Sequence, residues 1–96
     1  MLTMGARPAE LKQALTTLTA QKGVVLDAVV VVNGAGPIES VDGVRIHLLG
    51  ENVGIPAGRN KGAELVEGEF IFFLDDDSWL PSDRFLEDAV GLLRAD

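Results

Sequence analysis

At 96 residues, 47% of them apolar, the chain is sized for one packed domain or part of one. It has no cysteine, which excludes a disulfide framework and a thiolate metal site; a metal would have to be held by oxygen or by the single histidine, His47. The formal net charge of −7 excludes a broad basic surface, so nucleic acid is not an expected partner, although one nucleotide held by a few donors is compatible with it.

Residues 1–4 make a short, mostly apolar start bounded by Gly5. Pro8 then suits the first turn of a helix, because its fixed φ fits and its missing N–H would be unpaired there anyway. Leu11, Leu15 and Leu18 recur at helical spacing, and Gly23 ends the segment. Residues 24–32 are valine-rich, interrupted by Asp27. Their second half lacks alternation, the pattern of a strand buried on both faces. Asn33, Gly34, Gly36 and Pro37 break that strand. Residues 44–49 predict a third strand. A glycine-rich stretch over 50–62 leads into a helix through Ala63, Leu65 and Val66. Residues 70–74 predict a fourth, uniformly apolar strand that runs into Asp75, Asp76 and Asp77. Pro81 and Ser82 open a last helix with Phe85, Ala89 and Leu92 or Leu93 inward. Asp83 falls in its first turn, where the helix dipole favours negative charge.

About four strands alternating with helices imply an α/β fold, a three-layer parallel sheet covered on both faces. Ligands of such sheets bind beyond the carboxyl ends of the strands. The segments around 3–7 and 33–37 and the triple aspartate should meet there. Residues 1–4 fall short of the usual strand of about five to six residues. No strand follows the last helix. The expectation is therefore one segment, 1–96, of a larger domain, truncated at the C-terminus and at the N-terminus as well. The apolar runs are far below the roughly 20 residues of a membrane helix, and the start lacks a signal peptide's pattern. The cytoplasm is the expected compartment, with the inner face of the membrane as the place of a full-length protein.

Three adjacent carboxylates raise one another's pKa unless a cation neutralises them. Mg²⁺ or Mn²⁺ suits them, since hard cations prefer carboxylate oxygen and leave positions open for substrate phosphates. In an extended segment, side chains at i and i+2 share a face, so Asp75 and Asp77 are expected to act together, with Asp76 elsewhere. The competing reading is a solvated acidic turn. In the glycine-rich stretch, Gly54, Gly58 and Gly62 permit close backbone approach. Arg59 is a natural bidentate partner for a carboxylate or a diphosphate. The stretch is neither a Walker A loop nor a dinucleotide fingerprint.

The ordered set Thr3 and Arg7, Asn33-Gly34, Asn52-x-Gly54, Gly58-Arg59-Asn60-x-Gly62 and Phe72-Phe73-Leu74-Asp75-Asp76-Asp77 resembles the family 2 glycosyltransferases over nearly the whole chain. That resemblance implies a Rossmann-like GT-A half domain that binds a nucleoside-diphosphate sugar, UDP- or GDP-linked, for transfer to an acceptor the sequence does not name. It implies that Thr3 and Arg7 lie near the nucleotide and Arg59 beside the base or the acidic pocket. Asp75 and Asp76 would approach the ribose or donor sugar, and Asp77 would coordinate Mg²⁺ or Mn²⁺ on the diphosphate, with Asp75 counted as a second ligand. The family's base-reading Asp falls at Asn33, or at Val32 if the loop is aligned one residue earlier. An Asn amide offers a base edge both a donor and an acceptor; a Val offers neither. The family's catalytic base lies downstream of the metal motif, so the isolated chain is expected not to turn over.

Two alternatives stand beside this reading. One is a haloacid-dehalogenase-like phosphatase, imitated by residues 72–78 but with the motif too late in the chain. The other is a non-catalytic nucleotide-binding or self-associating fragment, dimerising through an exposed sheet edge. His47 reads as a strand histidine, Trp79 as sugar shield or helix packing, and Lys61 as solvated.

Overall fold

The structure is a computed structural model and describes residues 1–34 and 38–95. Gly36 and Pro37, read as strand breakers, lie outside the described residues. Strand β1 (Leu2–Thr3) leads to helix α1 (Pro8–Thr19), then to strands β2 (Ala28–Val32) and β3 (Val44–Leu48). Helices α2 (Ile55–Leu65) and α3 (Phe85–Arg94) follow. The three strands form one parallel sheet in the order β1-β2-β3, with Leu2 opposite Val31 and Ala28 opposite Val44.

Every residue of β2 is buried, as its unbroken apolar run requires of a central strand. Ala28, Val30 and Val32 face Leu11, Ala14, Leu15 and Leu18 of α1, together with Leu74, Leu80 and Leu86. Val31 points to the opposite face, where α2 crosses β2 and β1. Helices on both faces give the three layers expected. The last third of the chain is tied to the end of α1 by polar contacts. The Gln21 amide donates to the Ser82 carbonyl at 2.7 Å and accepts from the Leu86 N–H at 2.9 Å. The Thr17 hydroxyl accepts from the Leu80 N–H at 3.0 Å.

Three boundaries differ from expectation. The second strand starts at Ala28, not at residue 24, because Asp27 is held outside the sheet. Its carboxylate accepts from the Glu67 N–H at 2.9 Å and from Arg45 at 2.8 Å. Those bonds, the backbone one first, hold its carboxyl below the ordinary range against a smaller opposing effect of desolvation. Helix α2 begins inside the glycine-rich stretch, with Pro56 in its first turn. Helix α3 begins at Phe85 and buries Leu86, leaving Leu92 and Leu93 75% and 57% exposed.

The fourth strand does not form. Among the described residues its segment makes a single parallel bridge, Leu2 to Asp75. The segment turns to α3 instead: Phe72 meets Phe85 edge-on at 6.2 Å, and Arg94 lies 5.8 Å from the Phe70 ring and pairs with Glu69.

Candidate functional site

The carboxyl ends of β1 and β2 converge on the acidic triplet. Thr3 is buried at the end of β1, where its hydroxyl donates to Asp76 Oδ2 at 2.6 Å and accepts from the Gly5 N–H at 3.0 Å. The chain then reverses through Gly5, at φ +74°, and delivers Arg7 to the start of α1. The Arg7 guanidinium forks across two acids, with Nη1 3.0 Å from Asp77 Oδ2 and Nη2 3.2 Å from Asp76 Oδ1. From the other side, Arg59 of α2 reaches Asp75 Oδ1 at 3.4 Å. Thr3, Arg7, Arg59, Asp75, Asp76 and Asp77 are thus one ionic cluster.

The pairing within the triplet differs from the alternation expected. The Ser78 N–H donates to the Asp75 carbonyl at 3.1 Å, closing a turn over residues 75–78. A turn abolishes the period-two geometry of a strand. Asp76 and Asp77 therefore share Arg7 while Asp75 faces Arg59. The acids also differ in exposure: the Asp76 side chain is 16% exposed, those of Asp77 and Asp75 45% and 68%. Asp76 is an anchoring acid, and its neighbours are open to a ligand.

Asn33 is brought to the same edge but not into the cluster. Its side chain is 1% exposed and engaged with the loop ahead of α2. Nδ2 donates to the Gly54 carbonyl at 3.2 Å, and Oδ1 accepts from the Val53 N–H at 2.8 Å. Val32, its alternative, is buried in β2. Trp79 is largely exposed, and Lys61 lies 3.7 Å from Glu64 on its own helix. His47 lies within β3, in register with Val31.

A cleft of about 930 Å³ runs from this cluster along Leu2 and beneath the 70–74 segment, with Thr3, Arg7, Arg59 and Asp75 at its polar end. That volume lies within the span of small-molecule sites. Among the described residues no three acids or histidines converge as a metal cage. The protein's share of a coordination sphere would be one or two carboxylates, which is what Mg²⁺ takes when phosphates and water complete its octahedron. Exposed Asp77 and Asp75 fit that role by their oxygen donors.

Fold and site together define a parallel α/β domain with an arginine-bridged acidic turn at its carboxyl edge, the place where such sheets take their ligands. The family model for glycosyl transferase family 2 matches residues 3–96, and the chain belongs to that family. Over 33 residues, 34% of this chain, it is 54% identical to "Putative glycosyltransferase EpsH" of Bacillus subtilis (strain 168). That stretch spans 10% of the relative's length. No solved structure matches the chain. Family membership sets the phosphatase alternative aside, and the cluster is the acidic end of a glycosyltransferase domain.

Proposed function

We propose that this chain is the donor-binding half of a metal-dependent sugar transferase, taking a UDP- or GDP-linked sugar at the carboxyl edge of its sheet. The observation that carries this reading is the Arg7 fork, which joins the β1–α1 loop to Asp76 and Asp77 at the mouth of the cleft. Exposed ion pairs of this kind hold by about 1 kcal/mol or less. Arg7 and Arg59 can therefore exchange a carboxylate for a diphosphate oxygen, to which a planar guanidinium is well matched. Asp76, held by both Thr3 and Arg7, fixes the turn while its neighbours rearrange. Mg²⁺ or Mn²⁺, held by Asp77 with Asp75 as second ligand, would supply charge neutralisation for the departing nucleoside diphosphate.

Each acid of the triplet has an arginine partner, and none is assigned as the base that deprotonates an acceptor hydroxyl. Donor binding without transfer is the expected behaviour of this chain by itself.

Calorimetric titration with UDP and with GDP, with and without Mn²⁺, tests the proposal. The expected result is metal-dependent binding of one nucleotide, weakened at least about tenfold by Asp77→Ala, the equivalent of one lost charge-assisted contact. Absence of binding by either nucleotide in the presence of Mn²⁺ would overturn it.

A further inference from the structure

We propose that Asn33 is a positioning residue, clamping the loop ahead of α2 so that Arg59 stands opposite the acidic turn, and that it does not read the nucleotide base. The proposal rests on the nucleotide-binding reading above and assigns one of its residues a different task.

Asn33 joins the two halves of the ionic cluster. Through its backbone it holds the end of β1, since its N–H donates to the Thr3 carbonyl at 2.7 Å while the Thr3 hydroxyl holds Asp76. Through its side chain it holds the start of α2. The Gly54 carbonyl that accepts from Nδ2 also accepts the first helical bond, from the Gly58 N–H at 3.1 Å. Arg59 is the next residue, and it faces Asp75. The loop between is tight: Gly54 sits at φ +88°, and its N–H donates to the Asn52 side chain at 2.9 Å.

The chemistry of the clamp selects asparagine. Its two backbone partners are a donor, the Val53 N–H, and an acceptor, the Gly54 carbonyl. A primary amide satisfies both at once, whereas an ionised carboxylate satisfies the first and repels the second. A base edge would need a free amide, and although Asn33 lines the cleft, its Nδ2 and Oδ1 are already taken up by the Gly54 carbonyl and the Val53 N–H at 1% exposure.

The test compares wild type, Asn33→Asp and Asn33→Ala in unfolding as a function of pH and in nucleotide titration, at a temperature where each is folded. A carboxyl buried against the Gly54 carbonyl has its folded pKa raised, so its protonated form is the one the fold favours. Asn33→Asp is therefore expected to be less stable than wild type at neutral pH. The gap should narrow as the pH falls through the raised value, where the protonated acid donates to Gly54 and accepts from Val53. Asn33→Ala shows no such recovery. Both variants should bind nucleotide at least about tenfold more weakly at neutral pH, with the ratio of UDP to GDP affinity unchanged.

Wild-type stability and affinity in Asn33→Asp at neutral pH, or an altered UDP to GDP ratio, would overturn the proposal. If Asn33→Ala does not fold, the pH profile of Asn33→Asp still decides. If wild type binds neither nucleotide, the proposed function fails, and the pH comparison then supports or sinks the clamp by itself.

Discussion

Gly58 and Gly62 stand one turn apart on α2, and a methyl group at each would meet a different surface. At Gly58 it would lie 2.6 Å from Leu2 Cδ1 and within 3.4 Å of two further Leu2 atoms; at Gly62 its nearest neighbour is Val31 Cγ2, at an ordinary 3.5 Å. Alanine in a helix interior gains roughly 0.5–1 kcal/mol over glycine, and overpacking a fitted contact costs roughly 1–3 kcal/mol. Gly62→Ala should therefore raise the denaturant midpoint by the equivalent of about 0.5 kcal/mol. Gly58→Ala should lower it by about 1 kcal/mol. Equal effects of the two in chemical unfolding would show that α2 does not rest on β1 through Gly58. The sequence announces that these glycines permit close approach but not what approaches, because that depends on the sheet order. That Arg7 and the acids would meet was legible for a different reason: loops at the carboxyl ends of parallel strands converge on one edge. Their partition was not legible, since it follows from the 75–78 turn. Nor was the burial of Asn33, whose type suits a loop clamp and a ligand contact equally.

At the scale of elements, the 70–74 segment separates propensity from pairing. Its composition is that of a buried strand, yet a strand exists only where a ladder partner lies alongside. Here Phe70, Ile71, Phe72 and Phe73 are 38–53% exposed, and Leu48 on β3, at the opposite edge, is half exposed as well. Unpaired edges carrying exposed apolar side chains favour association. A dimer or larger species at micromolar concentration is the expected finding in sedimentation velocity, and Ile71→Lys with Phe73→Lys should shift it toward monomer. A clean wild-type monomer would count against the exposed segment as a contact surface. The other elements were read with more success where the pattern is local. The α1 leucines and the uniform β2 valines needed no knowledge of neighbours. The start of α2 was placed too late because its glycines obscure the Pro56 signal. Leu92 and Leu93 fall at helical spacing but outlast the surface available to cover them.

Across the whole molecule, three parallel strands between helices place all the chemistry at one edge, as the alternation of the sequence implies. What that alternation leaves open is how distant parts of the chain come to share a site. Thr3 and Arg7 are separated from Asp76 and Asp77 by about 70 positions, and side-chain bonds join them across the intervening chain. The 70–74 segment between contributes no ladder of its own. A ligand that engages Arg7 and Asp77 together therefore closes a loop running through most of the chain, and it can do so only in the folded state. Thermodynamic linkage then turns the site into a thermometer: free nucleotide at a hundred times its Kd should add about 2.7 kcal/mol to the unfolding free energy. The melting temperature should rise with the logarithm of nucleotide concentration when Mn²⁺ is present. With Asp77→Ala the same titration should leave it nearly flat. Amide exchange should report the gain first at the short strand β1 and the 75–78 turn, the two ends that the ligand draws together.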